Sequence, residues 1–312
     1  MNRQRDLTAD QMEPRVQSRQ AHLLRTWRKA SPLGMVTALF LVVYYGIVFV
    51  IPFGTSIWLS FQNWDFIDNA VFVGLQNYTR AASDPYFWGA LKNTVLFSIV
   101  EIGVGMVLGV LVAFLLSRLG GRLQRAFLGI YYLPVIIPTI VTVLLWQFLY
   151  LPQGGVFNGM LSAIGLSQQQ FLNSPDQALW SVTAMVIWAE LGTGIVLFLA
   201  SINNVPQQVL EAAYLDGAGL WTLFWHIIAP LIKPVLYYQV IVSVIGTVQM
   251  FTQFYLLQGP GFSTRTLAVY TYELGFQSMD LGYGAAVSVI IFLLLLGATA
   301  FQLRRYKVTW EY

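Results

Sequence analysis

The chain has 312 residues, of which 57% are apolar and 10% are charged, and its formal net charge is +3. Soluble domains carry about 25% charged residues, so this composition excludes an ordinary soluble enzyme and a disordered chain. It indicates a protein whose surroundings are mostly lipid. The sequence contains no cysteine, which excludes disulfides, thiolate metal sites and cysteine nucleophiles.

The chain begins with a polar, arginine-rich stretch at 1–32. The first apolar run starts only near Leu33 and is longer than the core of a signal peptide, so we interpret 1–32 as a tail that is not cleaved. The predicted organisation is this cytoplasmic N-terminal tail, a six-span membrane domain at 33–303 and a cytoplasmic C-terminal tail at 304–312.

Six apolar runs are long enough to cross a bilayer as helices, which requires about 20 residues each. They are Leu33–Ser56, Thr94–Leu116, Phe127–Tyr150, Leu179–Ala200, Val235–Leu257 and Gly282–Leu303. Backbone polar groups in lipid must bond within the segment, so these runs predict helices rather than open strands. The predicted fold class is therefore an all-α membrane protein with six transmembrane helices.

The basic residues predict the orientation of these spans. Of the 17 lysine and arginine residues, only Arg80, Lys92 and Arg265 lie on the side opposite the two tails. Because cytoplasmic loops carry the excess of lysine and arginine, both termini are predicted to be cytoplasmic. An even number of spans agrees with this orientation.

The loop at 202–234, between the fourth and fifth spans, has a pattern of helix, break and helix. Pro206 suits a helix start, and Gly217 suits a helix end. The loop displays Glu211 and Asp216 but few basic residues. A helix lying on the membrane surface is usually rich in lysine and arginine, so the composition favours insertion into a groove of a partner protein.

Spaced residues in this loop resemble the EAA loop of the permease subunits of binding-protein-dependent ABC importers. The residues that carry the resemblance are Glu211-Ala212-Ala213, Asp216-Gly217-Ala218, Ile227 and Pro230. The resemblance implies a type I permease fold in a bacterial or archaeal cytoplasmic membrane. It also implies that the loop docks on a separate ATPase subunit through Glu211, Ala212, Ala213, Asp216 and Gly217.

Three other stretches are similar to carbohydrate-uptake permeases of the maltose and glycerol-3-phosphate type. They are 133–138, 154–158 and 258–264, the last with a contracted form of the usual Gly-Gly-Pro segment. The implied partners are an ABC ATPase dimer, a second permease subunit, an extracytoplasmic solute-binding protein, a sugar and membrane lipid, with no nucleic acid. The class typically pairs two different permeases, although the sequence itself leaves homodimer and heterodimer open.

The chain has no Gly-x4-Gly-Lys-Ser/Thr segment to cradle a nucleotide phosphate. Any coupled ATP hydrolysis must therefore come from another polypeptide. We expect the chain not to be an enzyme, with no catalytic residue, no metal site and no cofactor of its own, since ATP would be bound by the partner.

Two acids, Glu101 and Glu190, fall inside predicted spans, where an ionisable residue is a functional candidate by default. We assign Glu101 to helix packing in a glycine-rich span, and Glu190 to a solute pathway where glycines interrupt its helix. The predicted pathway residues are Thr139, Trp146, Trp188, Glu190, Thr193, Gln249, Thr252 and Gln253. They offer hydrogen-bonding groups and aromatic platforms for a sugar, or alternatively hydrogen bonds between helices.

Two other functions remain open at this point. An ion-coupled secondary transporter of a small polar solute would use coupling acids such as Glu101 and Glu190. A membrane scaffold would bind an ATPase and move nothing. The sequence does not name the solute, although the few basic residues in the spans disfavour a strongly anionic one.

Overall fold

The computed structural model describes residues 32–67 and 69–305 of the chain, and most of them are helical. Most of the two predicted cytoplasmic tails, 1–31 and 306–312, lies outside the described residues. The chain divides into two compact units, of which the first ends at Trp58 and the second begins at Leu59.

The described part of the first unit is one continuous apolar helical segment. It consists of α1 (Pro32–Tyr45), one π-helical stretch (Gly46–Val50) and the beginning of α2 (Ile51–Leu59). The whole segment, Pro32–Leu59, is long and apolar enough to cross a membrane.

The second unit opens with a small hairpin and continues as helices. Strands β1 (Gln62–Asn63) and β2 (Val71–Phe72) pair antiparallel, with Gln62 opposite Phe72. The helices that follow are α3 (Gln76–Ser83), α4 (Pro85–Ser117), α5 (Gly121–Ile136), α6 (Thr139–Leu149), α7 (Val156–Ala163), α8 (Pro175–Asn203), α9 (Gln207–Leu215), α10 (Leu220–Thr222), α11 (Ala229–Gln249), α12 (Thr252–Leu256), α13 (Leu267–Tyr272) and α14 (Leu281–Arg305). Short 3-10 or π stretches lie at Phe171–Asn173, Leu223–Ile228, Pro260–Phe262 and Glu273–Gln277.

The long apolar helices match the predicted spans, except for the third. Within the described residues, the continuous candidates are Pro32–Leu59, Pro85–Ser117, Pro175–Asn203, Leu220–Leu256 and Leu281–Arg305. A sixth exists only if the bent pair α5 and α6 is counted as one span. The length of these helices agrees with about 20 residues per crossing.

The third span was predicted as one helix, Phe127–Tyr150, and this is wrong. The structure has two helices there, bent by 96° at the break between them. Pro138 lacks a backbone N–H and follows Ile137, whose ψ of 130° is extended. Because a residue that precedes proline is pushed out of the α region, the helix ends at Ile136 and a new one begins at Thr139.

Helix α4 is longer than its predicted span because its start has a strong local signal. The Asp84 side chain accepts a hydrogen bond from the Tyr86 amide at 2.9 Å, and Pro85 occupies the first turn. Aspartate at the cap and proline in the first turn both favour a helix start. The helix therefore begins at Pro85, nine residues before the apolar run that starts at Thr94.

Glycines allow α8 to pack closely on its neighbours. A Cβ atom added at Gly192 would lie 2.4 Å from the Tyr131 carbonyl oxygen of α5, and one at Gly109 would lie 3.1 Å from the Phe198 ring. Helix α8 is continuous through Gly192 and Gly194, so the predicted interruption of the helix at these glycines is wrong. Small residues there permit close helix contact, as in other membrane helices.

Candidate solute cavity and coupling surface

A cavity of about 240 Å³ lies between α4, α8 and α11. Glu101 contributes to it from the middle of α4, and Glu190 and Thr193 contribute from the middle of α8. The polar residues supplied by α11 share one face of that helix: Gln239, Ser243 and Thr247. Three apolar helices thus border a space that is lined in part by hydrogen-bonding groups.

One carboxyl oxygen of the lining residue Glu101 has no protein partner among the described residues. This atom, Oε2, is buried. Gly105 lies one turn later on α4 and also lines the cavity. Gln239 Nε2 donates to Ser243 Oγ at 3.1 Å, which leaves the amide oxygen of Gln239 available.

No lysine or arginine lines this cavity within the part of the chain that the structure describes. Its side chains supply two carboxyls, one amide and three hydroxyls. Such a set can bind the hydroxyl groups of a neutral solute from several directions. It offers no counter-charge to a phosphate or a carboxylate.

The structure brings only two of the predicted pathway residues to the cavity, Glu190 and Thr193. Trp146 and Trp188 do meet, with ring centroids 5.5 Å apart, but they belong to an aromatic cluster outside its lining. The other predicted residues also lie outside the lining, at or beyond helix ends: Thr139, Gln249, Thr252 and Gln253.

Sequence reasoning missed the polar face of α11 and assigned Glu101 to packing. The missed signal is a polar residue at every fourth position of an apolar helix: Gln239, Ser243 and Thr247. Residues four apart share one helix face, so this spacing could have identified a face that lines a cavity.

The loop at 202–234 forms a short helix that ends at a glycine. Helix α9 spans Gln207–Leu215, and Gly217 has a φ of 76°. The Ala218 amide donates to the Ala213 carbonyl at 2.9 Å, and the Gly217 amide donates to the Tyr214 carbonyl at 3.0 Å. These bonds and the left-handed glycine form a standard helix C-cap.

One side of α9 is buried in the protein, and the other is free. Ala213 belongs to an apolar core that it shares with Phe114, Phe198, Leu223 and Phe224. Among the five residues that the resemblance implicates in docking, the structure leaves four exposed: Glu211, Ala212, Asp216 and Gly217. Large apolar side chains beside them are exposed as well: Leu215, Leu220 and Trp221. We call the exposed residues of 209–221 the coupling surface, after the docking role that the resemblance implies for this loop.

The Arg118 side chain connects the coupling surface to the C-terminal end of α4. Arg118 donates a hydrogen bond to the Tyr214 hydroxyl. The guanidinium carbon of Arg118 lies 5.4 Å from the Phe114 ring centroid and 5.6 Å from that of Tyr214. The helix that carries Glu101 is thus joined at its C-terminal end to the loop.

The N-terminal end of α4 is held by a half-buried carboxylate, that of Asp84. Asp84 accepts hydrogen bonds from the hydroxyls of Tyr270 and of Tyr283, the latter at 2.6 Å. Burial acts to raise the pKa of Asp84, but these bonds and that from the Tyr86 amide outweigh it and hold the pKa below its ordinary value. Helix α4 is therefore anchored at both ends, by Asp84 and by Arg118.

A sequence model of the family described as "binding-protein-dependent transport system inner membrane component" matches residues 105–306. Among curated relatives, the probable ABC transporter permease protein YurN of Bacillus subtilis is 32% identical over 84% of this chain and 91% of its own length. The trehalose/maltose transport system permease protein MalF of Thermococcus litoralis is 32% identical over 88% and 94%. The sn-glycerol-3-phosphate transport system permease protein UgpA of Pectobacterium atrosepticum is 31% identical over 83% and 88%.

A solved structure shares the fold. A chain of a bacterial ABC transporter involved in the import of the acidic polysaccharide alginate superimposes with a TM-score of 0.78 and 24% identity, over 91% of this chain and 100% of that chain. The predicted fold class, an all-α permease of the ABC importer type, is confirmed, and nothing in these comparisons supports a secondary transporter. The chain therefore belongs to the family of inner-membrane components of binding-protein-dependent transport systems, the permease subunits of ABC importers.

Proposed function

We propose that this chain forms half of the pathway by which a neutral sugar or polyol enters the cell, driven by a separate ATPase. The observation that carries the proposal is the cavity between α4, α8 and α11, whose hydrogen-bonding groups come from the middle of the spans. Glu101, Glu190 and Gln239 would bind the solute's hydroxyls. The relatives named for trehalose and maltose transport support a saccharide.

The chemistry of the cavity favours a neutral solute over an anionic one. Two carboxyls line it, and no described lysine or arginine does so. Like charges brought together without counter-charges repel strongly in a medium of low polarity. A phosphorylated solute, as named for the UgpA relative, would therefore need basic groups from another subunit.

The coupling surface would dock into a cleft of an ABC ATPase dimer. Glu211 and Asp216 would contact that subunit, Ala212 and the buried Ala213 would allow close approach, and Gly217 would permit the bend. Exposed apolar side chains beside charged ones support such a contact. ATP would be bound by the partner.

The remaining assembly follows from membership of the family. An extracytoplasmic binding protein would deliver the solute, and a second permease, a different chain in the carbohydrate class, would complete the pathway. Movement of the ATPases would shift the helices between inward- and outward-open states. Both termini and the loop at 202–234 would face the cytoplasm, as the distribution of basic residues predicts.

The test is co-purification of the tagged chain from its native membrane in mild detergent, followed by uptake in proteoliposomes. We expect an ATPase with a phosphate-binding loop to co-purify, and ¹⁴C-labelled maltose or trehalose to enter only with ATP and binding protein. Glu211→Lys should reduce ATPase recovery about tenfold or more, because a basic group that faces Glu211 across the interface would then face a lysine, and like charges at an interface cost several kcal/mol. Uptake driven by an ion gradient without the ATPase would refute the proposal.

A matched control has the same change of charge at the other end of the bundle. Asp176 is an exposed acid in the first turn of α8. Asp176→Lys should leave ATPase recovery unchanged. Equal recovery with Glu211→Lys and Asp176→Lys would remove Glu211 from the docking surface.

A further inference from the structure

A larger cavity, of about 690 Å³, lies at the end of the bundle opposite the coupling surface. Its walls come from the start of α4, from α12, from the loop that follows it and from the segment 270–278. The side chains that define it are Tyr86, Tyr255, Phe262, Arg265, Tyr270 and Glu273. This volume lies within the range of about 300–1,000 Å³ that is typical of small-molecule sites, and the transport pathway described above does not use it.

An ion pair on the cavity wall presents a donor and an acceptor side by side. Arg265 Nε lies 2.7 Å from Glu273 Oε2, and their side chains are only 12% and 14% exposed. The two charges neutralise each other, so the wall attracts neither anions nor cations strongly. Guanidinium N–H groups and carboxylate oxygens that stay unused by the pair can bind adjacent hydroxyl groups of a neutral ligand.

An aromatic ring lies next to this pair in a conformation that phenylalanine rarely adopts. Phe262 has a φ of 64° and is 53% exposed. The guanidinium carbon of Arg265 lies 3.5 Å from its ring centroid, and the ring centroids of Phe262 and Tyr86 lie 5.8 Å apart with the rings nearly perpendicular. Backbone strain of this kind is concentrated at ligand-binding segments. The guanidinium covers one face of the phenyl ring, and the exposed remainder of the ring offers an apolar platform next to the polar wall.

Hydrogen bonds hold the loop that carries Phe262 and Arg265 in place. Asn93 Nδ2 of α4 donates to the Arg265 carbonyl at 3.0 Å. Thr264 Oγ1 accepts from the Gly259 amide at 2.8 Å. Binding to a site that is already formed loses less entropy than binding to a mobile loop.

We propose that this cavity is an entry site for a neutral saccharide, with one sugar ring packed on Phe262 and its hydroxyls bound by Arg265, Glu273 and Gln258. A pyranose has an apolar C–H face and a rim of hydroxyls, which matches a phenyl platform beside a neutral polar wall. A flat apolar docking surface for a protein would not need the recessed ion pair. The proposal rests on the solute class and orientation given under "Proposed function". In that orientation the cavity faces the side from which a binding protein delivers its solute.

The experiment measures the binding of maltose and trehalose to the assembled transporter in nanodiscs without binding protein, by saturation-transfer NMR. Phe262→Ala should weaken binding about tenfold, as expected when about 50 Å² of apolar contact is lost. Gln258→Ala, at an exposed residue of the lining, should weaken it in the same direction. Phe66→Ala is the matched control, because Phe66 is also exposed and also has a positive φ, of 71°, but lies outside the cavity.

The outcomes distinguish this site from the central cavity, which is the one between α4, α8 and α11, and from transport itself. The entry site is overturned if Phe262→Ala and Phe66→Ala bind the disaccharides with the same affinity. It is also overturned if the wild type gives no signal with either disaccharide. Unchanged saccharide binding with weaker capture of the binding protein by Phe262→Ala would also overturn it, in favour of a protein contact. If the wild type imports sugar with ATP while Phe262→Ala binds normally, only the entry site fails. If the wild type imports none, the proposed function fails.

Discussion

Replacing Gly192 by alanine tests whether the close contact between α5 and α8 holds the central cavity together. The added methyl group would lie 2.4 Å from the Tyr131 carbonyl oxygen, 2.9 Å from Val135 Cγ2 and 3.0 Å from Tyr132 Cα. Two of these three atoms belong to the backbone of α5, so the contact cannot be relieved by a rotamer change. Overpacking of this kind costs about 1–3 kcal/mol.

Alanine also has a higher helix propensity than glycine, by about 1 kcal/mol in a helix interior. Gly194→Ala is therefore the matched control, because a Cβ atom there would meet only the Phe198 ring, at an ordinary 3.5 Å. We expect Gly194→Ala to be neutral or slightly stabilising. Since the gain in propensity is common to both variants, Gly192→Ala should be less stable than Gly194→Ala by about 1–3 kcal/mol.

The measurement is the temperature at which the detergent-solubilised chain loses its monodisperse peak in gel filtration. Gly192→Ala should lower this temperature by several degrees relative to Gly194→Ala, since about 1 kcal/mol shifts the midpoint by roughly 2–4 °C in proteins of this size. Solute uptake should fall with it, because Glu190 lies two residues before Gly192 on the same helix. Equal melting of the two variants would refute the close contact.

Three further changes test the two ends of α4 and the coupling surface. Gly217→Ala should reduce ATP-driven uptake about fivefold, because an alanine in the left-handed conformation costs about 1–2 kcal/mol. Gly219→Ala is the control and should not reduce uptake, since Gly219 has an ordinary φ of −72°. Equal uptake by the two variants would contradict this expectation. Tyr214→Phe removes the acceptor of Arg118 and should reduce uptake per ATP about threefold with ATPase activity retained, since such a bond contributes about 0.5–1.5 kcal/mol; unchanged coupling would exclude the contact from transmission. Asp84 has a lowered pKa, so the stability that it contributes is complete above its ordinary pKa of 3.8 and is lost as the pH falls further. The Asp84→Asn variant should therefore melt at a lower temperature than the wild type at neutral pH. The difference in melting temperature should shrink at acidic pH.

The spans were predictable because lipid selects for composition and length, which a sequence displays directly. Helix α14 begins at Leu281, one residue from its predicted start. The start of α4 was missed because Asp84 and Pro85 determine it locally, outside the apolar run. The 96° bend at Pro138 was missed because a proline inside an apolar run is compatible with a kinked helix as well as with two separate helices.

The cavity was less predictable, because its lining depends on how three helices face one another. Glu190 was found because a carboxyl in an apolar span is conspicuous. Glu101 is equally conspicuous, but its glycine-rich neighbourhood favoured packing; in the structure Glu101 lines the cavity. The polar face at Gln239 and Ser243 was present as a four-residue spacing, yet only the packing of α11 on α4 and α8 decides that it faces inward.

Helix α4 contacts all three candidate functional regions. It carries Asn93 beside the entry cavity, Glu101 in the central cavity and Arg118 against the coupling surface. Near its C-terminal end, Phe114 packs in the same apolar core as Ala213 of α9. Close-packed interiors change between discrete arrangements rather than deforming continuously, so a displacement of α9 by a docked ATPase must be accommodated at this end of α4. We therefore expect variants that loosen the Arg118 contact to uncouple transport without altering solute affinity, whereas variants at Glu101 should alter affinity without changing ATPase recovery.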